Sequence, residues 1–312
     1  MTHQVQVLAP ATVANLGPGF DILGMAVTEL GDIVTATQIP HSGTSIASIR
    51  GDDGKLPRDP TRNTAGIAAE FVRRQIAPLA GVELAIEKGL PLASGLGSSA
   101  ASAVAAAVAV NTLFGSPLQP ADLLPALLAA EAAVSGPHLD NAAPSLYGGI
   151  VLISGETGGA VSPIVLGPAL QDLSIALITP DIAVPTAQAR AALPETVPFG
   201  VVVQQTSALA QLIDAIYRDD VGAFCRATMG DRIVEPARQP LIPHFRTAHQ
   251  AALDHGAAAA IISGAGPTLC TFSTEETRAQ EVGSAVRSVY REQGIDARVH
   301  VVRPAPQGAR VI

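Results

Sequence analysis

Residues 98–114 carry no charge, and alanine and valine cover every face of the helix that this composition predicts. A helix without a polar side has nothing to offer water, so the rest of the chain must close around it. It is entered from the glycine-rich turn 89–97, which follows residues 82–87, whose alternation of apolar and polar side chains predicts a strand. A strand that passes through a tight loop onto a helix N-terminus leaves unpaired amide N–H groups and the positive dipole end facing one point. That junction suits phosphate. The serines at its start, Ser98 and Ser99, can hydrogen-bond phosphate or help to hold a magnesium ion. The lysine-serine ending of a Walker loop and the spacing of a Rossmann fingerprint are both missing, so this is a different cradle.

Around this centre, alternation predicts strands over 4–8, 32–38, 44–49 and 150–154. Helical periodicity covers 61–76, with Asn63 and Thr64 near its start, and 120–134, closed by Gly136-Pro137. The segment 10–21, with two prolines and two glycines, reads as a structured loop. Further on, strands are predicted over 173–178, 257–263, 268–272 and 297–302, and helices over 186–192, 201–217, 221–229, 241–255 and 275–293. At 312 residues the chain exceeds what one core of ~250–300 residues holds. The Gly- and Pro-rich stretch 155–168 is the expected boundary, giving an α+β fold in two domains, 1–155 and 156–312.

The hydrophobic fraction of 48% is scattered alanine and valine, and no apolar run reaches the ~18–20 residues of a spanning helix. Met1-Thr2-His3-Gln4 shows no basic segment leading into an apolar one, so a cytoplasmic location is expected. A net charge of −8 without Lys/Arg clusters leaves no footprint for nucleic acid or an anionic membrane. Tryptophan is absent and aromatic residues make up 3%, which removes the stacking platforms of single-strand binders. Cys225 and Cys270, far apart in apolar surroundings, read as buried thiols. A small molecule is the partner left.

Pro91 followed by Gly95-Leu96-Gly97-Ser98-Ser99-Ala100 resembles the central phosphate-binding motif of the GHMP family of small-molecule kinases. Pro10-Ala11-Thr12-Val13-Ala14-Asn15-Leu16-Gly17-Pro18-Gly19-Phe20-Asp21 is similar to the substrate loop of its homoserine-phosphorylating members, and Ser263-Gly264-Ala265-Gly266-Pro267-Thr268 to the third glycine motif of the family. The blocks stand in family order, and the resemblance spans essentially the whole chain. It implies a ribosomal-protein-S5-like N-terminal domain and a ferredoxin-like C-terminal domain, with ATP·Mg²⁺ and substrate meeting between them, and often a homodimer.

By the same resemblance, Pro91, Gly95, Leu96, Gly97, Ser98, Ser99, Ala100 and Ala101 serve ATP, with Gly264 and Gly266. Asn63 and Thr64 receive adenine, unless they only cap a helix; Lys88 reaches the nucleotide, unless it is an exposed strand-end lysine. Glu131 binds magnesium together with Ser98. A zwitterionic amino acid needs acceptors for its ammonium and bidentate donors for its carboxylate. Asp21 and Asp140 fit the first need, Arg190 and Arg238 the second. Asn15 and Asn141 orient the hydroxyl, Thr186 stabilises charge, and His138 shapes its loop. Asn141 stands where mevalonate-type relatives have a candidate aspartate base, so catalysis is expected to rest on positioning and electrostatics. The implied reaction carries phosphate from ATP to the side-chain hydroxyl of L-homoserine, giving O-phospho-L-homoserine for threonine biosynthesis. A family kinase for a non-amino-acid alcohol of the mevalonate type would not need those four charges together. A non-catalytic sensor would not need the intact loop and Glu131.

Overall fold

The computed structural model describes residues 3–134, 136–155 and 160–312. In the first half, β1 (Gln4–Ala14), β2 (Leu23–Ile39), β3 (Gly43–Arg50), β4 (Gly81–Glu87), β5 (Ile150–Ser154) and β6 (Ala160–Ile164) share one sheet. Helices α1 (Thr64–Ile76), α2 (Ser98–Leu113), α3 (Pro120–Ala132) and α4 (Ala142–Tyr147) pack on the sheet and on one another. α2 is the centre of the packing, touching α1, α3, α4, β1 and β2. Only Ser99, Val108 and Thr112 along it are partly exposed, as an uncharged Ala/Val helix requires.

The second half runs α5 (Pro168–Gln171), β7 (Ser174–Pro180), α6 (Thr186–Ala191), α7 (Phe199–Tyr217), α8 (Val221–Thr228), α9 (Val234–Arg238), α10 (Phe245–Asp254), β8 (Ala259–Ile262), β9 (Leu269–Ser273), α11 (Glu276–Glu292), β10 (Ala297–Val302) and β11 (Arg310–Val311). Its antiparallel sheet has the order β10-β7-β9-β8. With helices between β7 and β8 and between β9 and β10, this is the expected ferredoxin-like arrangement. α11 buries Ala279, Val282, Val286 and Tyr290 against it at helical spacing. No helix among the described residues is long and apolar enough to cross a membrane.

Four differences from the sequence expectations matter. β1 runs through Pro10 to Ala14, where a loop is expected; the register with β2 shifts between Pro10 and Thr12, and a bulge tolerates a proline without an N–H. α1 starts at Thr64, because Asn63 caps it. α10 starts only at Phe245, after a 3₁₀ turn over Gln239–Leu241. β6 pairs with β5, and β11 returns to pair with β1. Strand pairing therefore assigns 160–164 and 310–311 to the first sheet, against the expected division into 1–155 and 156–312. Residues 156–159, at that expected boundary, lie outside the described ones.

Candidate active site

The chain leaves β4 through a loop that the second half of the molecule braces. Ser263 Oγ donates to the Gly95 carbonyl at 2.7 Å, and the Thr268 amide donates to the Ser94 carbonyl at 3.2 Å. Gly95 has φ +81°, and a Cβ there would stand 2.3 Å from the Ser263 carbonyl oxygen. Only glycine lets these backbones meet so closely. Gly97, at φ +69°, is the N-cap of α2 and offers no capping side chain. The first amides of the most buried helix therefore lack an intrahelical partner and face the cavity, which suits an anion.

The expected metal ligands are Ser98 and Glu131. Glu131, on α3 and 4% exposed, accepts a hydrogen bond from Ser99 Oγ at 3.1 Å. On the loop it thus meets the neighbouring serine, Ser99. Ser98 Oγ is buried with no hydrogen-bond partner among the described residues. An orphaned buried hydroxyl costs ~1–3 kcal/mol, which a ligand would relieve. A buried hydroxyl without a partner among the described residues, in a cavity that Glu131 also lines, fits a hard cation that keeps most of its shell from phosphate and water. No cluster of three or more His, Cys, Asp or Glu suited to a metal occurs among the described residues.

Lys88 is neither an exposed lysine nor free to reach outward. Its ammonium donates to Asp32, to the Ser98 carbonyl at 2.8 Å and to Ser102 Oγ at 2.7 Å, which engages all three N–H groups. Asp32 in turn accepts from the Gly89 and Leu90 amides at 3.0 and 3.2 Å. Burial pushes the lysine pKa down, and Asp32 opposes that. This buried pair ties the end of β4 to the first turn of α2.

Across the cavity, Asp21 meets Arg190 through both carboxylate oxygens, at 3.0 and 3.1 Å. His138 Nδ1 lies 3.5 Å from the same carboxylate. Burial lowers the His138 pKa, so the ring is neutral at pH 7. Asn15, left-handed at φ +73°, accepts the Asp21 amide at 3.2 Å and donates to the Gly264 carbonyl at 3.1 Å. Arg238 donates to that same carbonyl at 2.7 Å. The Arg190 and Arg238 guanidinium carbons lie 5.2 and 5.1 Å from the centre of the Phe20 ring, within cation–π range. Burial, reinforced by the charges of Asp21 and Glu131, raises the Asp140 carboxyl to about 7.

These walls enclose one cavity of about 360 Å³, within the usual ~300–1,000 Å³ of ligand sites. It brings together Gly95, Gly97, Ser98, Ser99, Glu131 and Lys88 on one side with Asn15, Asp21, His138, Asp140 and Asn141 on the other, closed by Thr186, Arg190, Arg238 and Gly264. Asn63 and Thr64 line it too; Asn63 Oδ1 also caps α1 through the Ala65 amide at 3.0 Å, and Thr64 Oγ1 donates to the Ser99 carbonyl at 3.0 Å. Pro91, Leu96, Ala100, Ala101 and Gly266 are not among its lining residues. Leu96, Ala100 and Ala101 point into the core instead, and Gly266 packs against Ile242 behind the loop. Phe20, Arg62, Leu92 and Ala93 line the cavity without being anticipated. Phe20 stands in a motif whose neighbour Asp21 is singled out, but an isolated aromatic carries no signal of two arginines arriving from distant segments.

The cavity thus joins a glycine-rich loop and a helix start to a wall of charged side chains. Residues 63–149 match the GHMP kinases N terminal domain and residues 212–292 match GHMP kinases C terminal. The chain belongs to the GHMP kinase family. Homoserine kinase of Arabidopsis thaliana is 44% identical over 313 residues, 99% of this chain and 84% of that protein. Homoserine kinase of Xylella fastidiosa (strain M12) is 39% identical over 311 residues, 99% and 94% of the two chains. The crystal structure of homoserine kinase from Cytophaga hutchinsonii ATCC 33406 superposes with a TM-score of 0.94 at 38% identity, covering 100% of this chain and 98% of that one. Within the family, the chain sits with the homoserine kinases.

Proposed function

We propose that this enzyme transfers the γ-phosphoryl group of ATP to the side-chain hydroxyl of L-homoserine, giving O-phospho-L-homoserine on the route to threonine. The observation that carries the reading is the pairing of Asp21 with Arg190 in the same cavity as the α2 amides. An amino-acid alcohol brings one carboxylate and one ammonium, and the cavity offers Arg190 and Arg238 for the first and Asp21 and Asp140 for the second.

The substrate carboxylate takes Arg190 and Arg238, and the ammonium takes Asp21 and Asp140. Asn141 and Asn15 orient the hydroxyl, and His138 shapes the wall beside Asp21. The hydroxyl oxygen then forms a bond to the γ-phosphorus while the bond from that phosphorus to the ADP oxygen breaks. The hydroxyl proton leaves late, to a phosphate oxygen or water, so a dedicated base is not needed. Amides at the start of α2, with Thr186 on the opposite side, stabilise the charge on the transferring group. Magnesium bound by Ser98 and Glu131 would neutralise phosphate charge. Lys88, engaged with Asp32, supports the cradle from behind.

We also infer a homodimer in the cytosol, where ATP is supplied; the exposed apolar side chains of Phe199, Val202 and Val203 at the start of α7 fit a partner surface. Sedimentation across a range of concentrations tests the dimer. For the reaction, ADP release is measured with and without L-homoserine, with an uncharged four-carbon alcohol in its place, and after chelation of magnesium. Release that needs L-homoserine and magnesium is expected. Equal turnover of the uncharged alcohol would overturn the amino-acid reading.

A further inference from the structure

Thr12 has no exposed surface and no assigned part in binding, yet it touches both sides of the reaction. Its amide donates to the Leu96 carbonyl in the phosphate loop at 3.1 Å. Its hydroxyl donates to Asn141 Oδ1 at 2.8 Å. Gly97 leaves just enough room for this contact, since a Cβ there would stand 2.1 Å from Thr12 Oγ1 and 2.9 Å from Asn141 Oδ1. The register of β1 against β2 shifts between Pro10 and Thr12, just before the residue that meets the loop.

An asparagine amide can turn over and exchange its oxygen and nitrogen, presenting a donor or an acceptor to a ligand. With the Thr12 proton given to Oδ1, Nδ2 is left without a protein acceptor among the described residues, on a side chain that lines the cavity. The reverse orientation would leave the Thr12 proton with no other acceptor found among them. We propose that Thr12 is a positioning residue: it holds the Asn141 amide with Nδ2 toward the acceptor hydroxyl and ties that amide to the phosphate loop. This rests on the phosphotransfer reading above, in which Asn141 meets the hydroxyl. One strand residue then sets the separation of the two reactants, the quantity to which in-line transfer is most sensitive.

The test compares Thr12→Val, Thr12→Ser, Asn141→Ala and the Thr12→Val/Asn141→Ala pair in steady-state kinetics, with thermal melting as the check on folding. Thr12→Val keeps the shape and the amide bond to Leu96 but loses the hydroxyl. It is expected to lower kcat by about tenfold or more while KM for ATP and for homoserine stays within about threefold, and Thr12→Ser is expected to keep kcat within about threefold of the parent. In the Asn141→Ala background, Thr12→Val should change kcat by less than about twofold, because its route of action is already gone. If Thr12→Val does not fold, Thr12→Ala is read in the same way. Parental kcat in Thr12→Val, an equal loss in the Asn141→Ala background, a loss confined to KM, or no rescue by serine would each overturn the proposal. Parental kcat in Asn141→Ala would overturn both the proposal and the role given to Asn141. A loss in Asn141→Ala with none in Thr12→Val would refute Thr12 alone.

Discussion

Asp21 and Arg190 stand 169 residues apart in sequence and form a two-pronged ion pair, with Nη1 and Nη2 at 3.1 and 3.0 Å from the two carboxylate oxygens. The side chains are 22% and 35% exposed, so the pair adds little to stability. In the proposed site, a bound amino acid would exchange this internal pair for one of its own at each end.

Arg190→Ala is therefore expected to raise KM for homoserine about tenfold or more, in line with ~1.5–3 kcal/mol for a charge-assisted hydrogen bond. KM for ATP should hardly move, and chemical denaturation should show a loss under about 1 kcal/mol. Unchanged KM for homoserine would place the carboxylate site elsewhere.

Asp140 must be ionised to accept an ammonium, and burial raises its pKa to about 7. kcat/KM for homoserine should therefore climb as pH rises through about 7 and then level off. His138→Ala should keep that limb, with kcat within about tenfold, because the His138 ring is already neutral there. A fall of ~10³-fold with loss of the limb would make His138 the base. The sign for stability follows from the same carboxyl. Its folded pKa lies above the unfolded ~3.9, so its contribution is complete below that value and is lost as pH rises through about 7. Asp140→Asn should melt above the parent at pH ~8 and show a flatter pH dependence across the window between them.

Gly97→Ala brings a Cβ to a φ of +69° and to within 2.1 Å of Thr12 Oγ1. The left-handed backbone costs ~1–2 kcal/mol, and the loop must shift away from Thr12 and Asn141. kcat/KM should fall about 10²-fold or more while circular dichroism stays that of the folded parent. Near-parental kinetics would show that the cradle lies elsewhere.

Asp32→Ala leaves the Lys88 ammonium buried without its counter-charge. Urea denaturation should show a loss of ~3–5 kcal/mol, and Lys88→Met added to Asp32→Ala should recover part of it. A loss below about 1 kcal/mol would mean that the pair does not tie β4 to α2.

The largely buried α2 and the strands of the second sheet are legible along the chain because each signal is local, whereas the ferredoxin-like arrangement of those strands is implied only by the family resemblance. Helix burial is set by composition within residues 98–114, and the glycine-serine turn that opens the helix is a contiguous string next to it. The three glycine-rich blocks are contiguous strings, and so is the run carrying His138, Asp140 and Asn141. Boundaries that depend on caps, such as Asn63 before α1, shift by a few residues because the cap is recognised only once the helix is formed.

Other features depend on groups that meet only after folding. Lys88 is a strand-end lysine in sequence, and its burial depends on Asp32, 56 residues earlier, and Ser102, 14 later. Thr12, in a stretch that reads as a loop, carries no signal of Asn141, 129 residues on, whose Oδ1 accepts its hydroxyl. Asn15, 249 residues before Gly264, and Arg238, 26 residues before it, converge on the Gly264 carbonyl, and β11 closes the first sheet at its own starting strand. Local pattern records which residue types can bury, turn or cap, because those preferences act over a few bonds. Which charge neutralises which, and which hydroxyl orients which amide, is decided by the packing of two sheets around one cavity, since a hydrogen bond or an ion pair acts through space over about 3 Å, whatever the separation in sequence.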